Sequence, residues 1–328
     1  MSAPRVAIIG ARRRRQGLGP FVAKQLLTAG AEVAGIVGTS PETVAAGVAD
    51  LRQSLGLELT GATSLRALLE TEHVDAVAIL TPAETHAEQL AAALDSGLSV
   101  LCEKPFVWGT PDDLQTTTEL VEAFSHAGLL LHENCQWPFT LPAFDALHPG
   151  LREQGPPSRF SMNLGPSVTG PATIGDSLPH AISLLQAIAP ATRAELSDVN
   201  FSTRDETASE LTVSFSWPAD AGPVQATVEL SQEAEQPRRA GYSIDGHQAA
   251  RMIRSADYAQ FFGDGARLVD VPDPLGQLIA AFVAALEVQM ASSDPAAKHG
   301  STPGLRYDMI ERMRALTGLA QAYRIPTS

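Results

Sequence analysis

The sequence predicts two domains of different class: an α/β domain over residues 1–124, built on an amino-terminal doubly wound parallel sheet, and an α+β domain over residues 125–328, with a large, mostly antiparallel open sheet and helices. Three observations carry this. Up to Glu133, short apolar runs of strand length alternate with helical patterns. Between Arg159 and Phe262, alternating runs follow one another closely enough for neighbouring strands to pair. A chain of 328 residues that is 44% hydrophobic can also bury more than one core.

The first element is the strand RVAIIG, ending at Gly10, and the first helical pattern is Phe21–Leu27. Between them stand Ala11, four arginines from Arg12 to Arg15, Gln16, and Gly17-Leu18-Gly19. A strand, a glycine-bearing turn and a helix in this order read as the first βα turn of a Rossmann unit, where helix amides face a pyrophosphate and glycines let the backbone come close. The usual G-x-G-x-x-G is replaced by a longer loop, with nine positions from Gly10 to Gly19. Gly10 is assigned the tight turn, Gly17 and Gly19 the later glycines, and Pro20 the first helical turn, where its missing amide hydrogen costs little. The loop residues Gly10, Ala11, Arg12, Arg13, Gly17, Leu18 and Gly19 are candidate cofactor contacts. The arginine run reads either as a solvated loop or as a phosphate-binding patch.

A second strand, Glu32–Val37, ends in Gly38-Thr39-Ser40-Pro41. Proteins of this fold that prefer NAD commonly place an acidic residue here for the ribose hydroxyls, and none is present. Thr39 and Ser40 can donate hydrogen bonds, and Arg12 or a neighbour can pair with a 2′-phosphate. NADP(H) is therefore expected over NAD(H). The alternative for Thr39 or Ser40 is to cap the next helix, and the two roles are compatible.

The winding continues with a helix over Pro41–Leu55, a short strand near Leu57–Leu59, a helix over Ser64–Thr71 and a strand over Val74–Leu80. After Thr81-Pro82 comes a helix from about Ala83 to Leu94, then the strand LSVLC ending at Cys102. Glu103-Lys104-Pro105 follows, with Pro105 disfavouring helical geometry at Lys104. A helix start with cap, proline and acidic first turn lies at Thr110–Asp113, and the helix runs to about Ala127. The strand Leu129–Glu133 leads through Asn134-Cys135-Gln136-Trp137-Pro138 into the second domain.

The polar clusters Thr81-Pro82 with His86 and Glu103-Lys104-Pro105 both fall at carboxyl ends of parallel strands, the edge at which open α/β sheets bind ligands. A lysine beside such a cleft can donate a proton or polarise a substrate oxygen, although a lone Glu-Lys pair is also an ordinary solvated loop. The ordered block TPAETH, then AAALDSGLSVLCEKP, resembles the signature of the Gfo/Idh/MocA oxidoreductases, the family of glucose-fructose oxidoreductase and inositol dehydrogenase. The resemblance is closest over residues 74–106. It implies that Thr81, Pro82, His86, Glu103 and Lys104 lie at a nicotinamide cofactor, with Lys104 catalytic and in contact with substrate.

The second half shows strand patterns at Arg159–Leu164, Glu210–Trp217, Val224–Leu230, Ala240–Ile244, Ala249–Ser255 and Ala256–Phe262, then helices over Pro274–Met290 and Thr302–Ala322. The carboxy-terminal helix is expected to pack back on the first domain. Gly175-Asp176-Ser177-Leu178-Pro179-His180 opens the helical run HAISLLQAI. With Asp176 as N-cap and Pro179 in the first turn, the four-residue spacing puts His180 on the same side, where a carboxylate can orient an imidazole acting as proton carrier. A capping aspartate and a surface histidine is the plain alternative. The family uses an aspartate and a histidine at this spacing beside its lysine, which implies Asp176 and His180 as catalytic and substrate-binding.

Two positions depart from the family pattern. Ser183 stands where an aspartate often follows, and Gln136 where an arginine often stands. Gln136 and Trp137 are nonetheless candidate substrate contacts. The family's second sheet often mediates oligomerisation, which implies a homo-oligomer, dimer or tetramer, through the carboxy-terminal sheet.

A formal net charge of −14 disfavours general binding to nucleic acid or anionic membrane. No apolar stretch approaches the roughly 20 residues of a membrane span, and MSAPRVAIIG enters a strand without a leader pattern, so a cytoplasmic protein is expected. Cys102 and Cys135 are read as reduced thiols, and no metal-ligand cluster is apparent. The expected activity is hydride transfer between a nicotinamide and a small hydroxyl or carbonyl substrate, a sugar or polyol derivative. Its rivals are a ligand-sensing regulator that binds dinucleotide without turnover, and a lyase or hydrolase that retains its cofactor through a redox-neutral reaction.

Overall fold

The computed structural model describes residues 2–11, 18–205, 207–254, 259–291 and 305–324. Contacts divide the chain into two units, Met1–Asn134 with Leu275–Ile310, and Cys135–Pro274 with Glu311–Ser328.

In the first unit, β1 (Arg5–Ile9), α1 (Gly19–Thr28), β2 (Glu32–Val37), α2 (Pro41–Leu55), β3 (Gly61–Ala62), α3 (Leu65–Leu69), β4 (Ala76–Ile79), α4 (His86–Asp95), β5 (Ser99–Cys102), α5 (Asp113–His126) and β6 (Leu131–Glu133) alternate along the chain. The strands are parallel in the order β3-β2-β1-β4-β5-β6, the doubly wound order whose switch point lies between β1 and β4. β4 and β5 are buried throughout, as strands covered on both faces must be.

Three boundaries differ from the sequence pattern. The strand expected at Leu57–Leu59 lies at Gly61–Ala62, where the backbone reaches β2 through Ile36–Gly61 and Val37–Ala62. A Cβ on Gly61 would stand 2.3 Å from Val44, so only glycine lets the strand lie so close to α2. The helix expected from Ala83 opens as a 3-10 turn, Ala83–Thr85, before α4. α5 is capped by Asp112, which accepts from the Gln115 amide, so Thr110 belongs to the preceding turn and donates to Asp113.

α8 (Pro274–Ala291) belongs to this unit from Leu275 onward. By length and composition it is the one described helix that would suffice to cross a membrane, which corrects the sequence expectation that no stretch comes close. Leu278, Ile279, Phe282 and Leu286 are buried, Phe282 meets the His132 ring edge-on, and Gln289 bonds Ser99 and the Gly128 carbonyl. These contacts make it a core helix of the unit.

The second unit holds α6 (Leu141–Leu147), β7 (Arg159–Leu164), α7 (Ala172–Ile188), β8 (Ser197–Thr203), β9 (Glu210–Trp217), β10 (Val224–Ser231), β11 (Ala240–Ile244), β12 (His247–Ile253), β13 (Gln260–Gly263), β14 (Leu268–Val271) and the end of α9 (Leu305–Ala322). Eight strands run in the order β14-β13-β12-β11-β7-β10-β9-β8, antiparallel except for β7 with β10. The expected strands at Ala249–Ser255 and Ala256–Phe262 are β12 and the shorter β13. β8 and β14 escaped the sequence pattern because both are edges. Their residues are mostly exposed, so the alternation that marks a half-buried strand is faint. Phe160, Met162, Tyr242 and Phe262 share the buried face, and Ser161 and Ser243 pair at 2.8 Å on the other.

The largest correction concerns α7. Asp176 is not its N-cap: the helix starts at Ala172 and carries Pro179 in its interior. An interior proline costs about 3 kcal/mol, which burial on nearly every side of this helix outweighs. Gly175, four residues earlier, bears the carbonyl that proline crowds and no side chain.

Candidate functional site

Four parallel strands of the first unit end in one row. Register pairs Ile9 with Ile79, Ile79 with Cys102, and Cys102 with Glu133, and the ladder continues one residue further through Leu80 N to Ile9 O, Glu103 N to Ile79 O and Asn134 N to Cys102 O. Gly10, Leu80, Glu103 and Asn134 are thereby held side by side on rigid backbone.

A cavity of about 700 Å³ opens over this edge. Its wall comprises Ile9–Ala11 after β1, Ile36–Thr39 after β2, Thr63–Arg66, and Leu80–Pro82 with Thr85 and Gln89. Gly10 has φ +81°, and a Cβ there would come within 2.6 Å of the Thr81 methyl, so the turn needs glycine twice over. Gly19 abuts Ala11, whose carbonyl oxygen would be 2.0 Å from an added Cβ. The wall therefore approaches a ligand as bare backbone, and the size and apolar lining fit an extended dinucleotide.

Of the residues the sequence singled out for a cofactor, Gly10, Ala11, Thr39, Thr81 and Pro82 line the cavity. Leu18 and Gly19 stand at the start of α1 instead. Ser40 caps α2, its hydroxyl accepting from the Thr43 amide while Thr43 Oγ1 accepts from Ser40 N. Arg12, Arg13 and Gly17 lie outside the described residues. Arg66 and Thr63 line the cavity and were missed, because neither a short helix nor the turn before it shows in sequence which of its polar residues borders a ligand.

His86 is fully buried and off the cavity wall. Its Nδ1 lies 3.0 Å from the Pro105 carbonyl and 3.2 Å from that of Phe106, and its Nε2 2.9 Å from the Thr81 carbonyl. The ring thus ties the Thr81-Pro82 loop to the segment after Lys104 from behind. Thr81 Oγ1 donates to Gln89 and accepts from Thr85, which fixes the loop's outer side.

Glu103 is 4% exposed and accepts from the Asn134 amide, while Glu133 accepts from the Phe106 amide at 3.0 Å. From Leu98 to Val107 only Lys104 is not buried. Burial raises the Cys102 thiol well above its ordinary pKa, with Glu133 and Glu103 adding to the shift, so it is inert at neutral pH.

In the second unit, α7 is buried from Thr173 to Gln186 except at Asp176 and His180. Ser177 Oγ donates to Asp176 at 2.9 Å. The His180 ring meets Trp137 edge-on with centroids 6.3 Å apart, and the Arg251 guanidinium stands over the same Trp137 ring, 5.8 Å from its centroid. Gln136, Trp137, Thr140, Arg251, Gln260 and Phe262 line a small cavity. Arg251, which the sequence reading passed over, shows there only as a charge at the inward parity of a strand. Burial lowers its pKa, and Glu233 opposes the shift. Among the described residues no group of three metal-ligating side chains occurs.

Residues 4–134 match the model of an oxidoreductase family with an NAD-binding Rossmann fold. Curated relatives include a scyllo-inositol 2-dehydrogenase (NADP(+)) of Bacillus subtilis, 33% identical over 30% of this chain and 29% of that protein. Another is a 1,5-anhydro-D-fructose reductase of Ensifer adhaerens, 36% identical over 32% of this chain and 29% of that protein. The matched stretches span less than a third of those relatives' lengths. Over 99% of this chain, the fold is similar to that of a UDP-N-acetylglucosamine 3-dehydrogenase of Acidithiobacillus ferrooxidans, with TM-score 0.65, 20% identity and all of that chain covered. GenD2 from gentamicin A biosynthesis, in complex with NAD, gives TM-score 0.68 at 16% identity over 99% of this chain and 96% of that one.

Proposed function

We propose that the chain, whose residues 4–134 match the model of the Gfo/Idh/MocA oxidoreductase family, is a nicotinamide-dependent dehydrogenase or reductase of a small hydroxyl or carbonyl substrate, a sugar or polyol derivative. The observation that carries this reading is the coincidence of the 700 Å³ cavity with the Thr81-Pro82 loop and the bare turn at Gly10. Gly10, Ala11, Thr39, Thr81 and Pro82 would hold the dinucleotide, and the bound nicotinamide would supply or accept a hydride. NADP(H) is the preferred form in this reading, since Gly38-Thr39-Ser40 offers no carboxylate to a ribose 2′-hydroxyl.

The protein's own part is alignment and proton movement. Lys104 donates to the substrate oxygen and stabilises the negative charge that develops there on reduction. Glu103 and Asn134 hold the backbone of that residue's neighbourhood, and His86 fixes it to the cofactor loop. His180 delivers the proton in reduction and takes it in oxidation, and Asp176, one turn earlier, sets the imidazole's orientation. Gln136 and Trp137 contact the substrate. On the open face of the second sheet, Met252 and Leu268 are 45% and 55% exposed beside Phe261, and this patch joins copies of the chain into an oligomer.

NADPH consumption measured at the nicotinamide absorbance band against a panel of sugars, inositols, ketones and imines tests the proposal. Turnover of one class with stoichiometric product is expected. Dinucleotide binding with no turnover across the panel would favour the sensing rival, and product without net NADPH consumption the redox-neutral one.

A further inference from the structure

The cavity of the first unit is electrically lopsided. Among the described residues, two ionisable side chains line it: Glu88, on α4 beyond the Thr81-Pro82 loop, and Arg66, on α3. β2 and β3 run parallel with Val37 beside Ala62, and Gly38 N donates to Ala62 O at 3.0 Å. Thr39 and Thr63 therefore leave neighbouring strand ends one residue out of register, and both line the cavity with Arg66, three residues after Thr63. In a doubly wound sheet the end of β2 receives the adenosine ribose, and no carboxylate lines the cavity there.

Arg66 is exposed and has no ion pair or hydrogen bond among the described residues. Thr39 and Thr63 likewise have no side-chain partner among the described residues, whereas the Ser64 hydroxyl is taken by the Ala67 amide. One guanidinium and two hydroxyls beside a ribose site form a donor set for a phosphate dianion, whose charge the guanidinium matches and a bare 2′-hydroxyl lacks.

We infer that Arg66, with Thr39 and Thr63, forms the subsite for the 2′-phosphate of NADP(H) and sets the chain's choice between the two dinucleotides. This rests on reading the cavity as the dinucleotide site. The competing source of cation is the loop pair Arg12 and Arg13, outside the described residues.

Calorimetric titration of the full chain with NADPH, NADH, 2′,5′-ADP and 5′-AMP tests the assignment. Wild type binds NADPH more tightly than NADH, and 2′,5′-ADP more tightly than 5′-AMP. Arg66→Ala weakens the two phosphate-bearing ligands by about 10- to 100-fold, the scale of one charge-assisted contact, and leaves the other two within about twofold. Arg66→Lys keeps part of the preference. An unchanged NADPH-to-NADH ratio in Arg66→Ala overturns the assignment, as does a ratio that collapses only in Arg12→Ala/Arg13→Ala. Wild type binding none of the four would instead sink the reading of the cavity, and Arg66's role with it.

Discussion

Asp176 and His180 are the only residues between Thr173 and Gln186 that are not buried, and they stand one helical turn apart on α7. Twelve buried positions on the helix fix its place, so the pair is presented by a rigid element. His180→Ala is expected to lower kcat by about 10²- to 10⁴-fold, the usual range for general acid–base catalysis, with NADPH affinity retained. Asp176→Asn should retain more activity and displace the limb of the pH–rate profile that reports His180. A profile unchanged in both variants would remove the pair from the proton path.

Lys104 is likewise presented by buried surroundings, the single residue from Leu98 to Val107 that is not buried. Lys104→Ala should abolish turnover while the Kd for NADPH, read by fluorescence titration, moves little. Substantial residual turnover would move the polarising role to another group.

His86→Ala should destabilise the first unit by about 3 kcal/mol or more, because it removes a buried ring and leaves buried carbonyls without a donor. Thr81 lies on the cavity wall, so NADPH affinity should fall as well, although His86 itself does not reach the cavity. Thermal unfolding and NADPH titration of the same sample check both effects. A variant that loses affinity with its Tm intact would indicate direct contact with the cofactor.

Gly10→Ala and Gly30→Ala separate backbone strain from steric contact. Gly10 has φ +81° with Thr81 in the way, whereas Gly30 has φ +91° and nothing within 4 Å. Both variants should lose about 1 kcal/mol to the left-handed backbone. Only Gly10→Ala should also weaken NADPH binding, by about tenfold or more, since its added methyl must displace the Thr81 loop. Equal affinities in the two variants would argue against the Gly10 turn as part of the site.

Asp205 accepts from Thr207 Oγ1, the Ser209 and Glu210 amides and Ser209 Oγ, with Thr207 the largest cause of a carboxyl pKa far below the ordinary value. A pKa lower in the folded state gives stability that is present above the unfolded value of about 3.9 and is lost as pH falls toward the folded one. The Tm gap between wild type and Asp205→Ala should therefore be full at neutral pH and shrink below about pH 4. A gap independent of pH would assign the effect to loop geometry alone.

The sequence by itself determined the alternation of strands and helices in the first unit, the strand ends at which Thr81 and Lys104 lie, and the glycine turn at Gly10. These are local properties: apolar periodicity sets the elements, and parallel strands joined by helices leave their carboxyl ends on one edge. α7 shows where local signals fail. Asp176 followed by Pro179 has the form of a helix start, yet the helix begins at Ala172, because burial against the second sheet outweighs a proline's local cost. Tertiary structure alone also decided the work of three polar residues. Ser40 turned to a cap, His86 turned inward to three backbone carbonyls, and Arg66 stands on the cavity wall without a partner among the described residues. Sequence spacing says which side chains share a face, but which face meets a cavity depends on packing between elements distant in the chain.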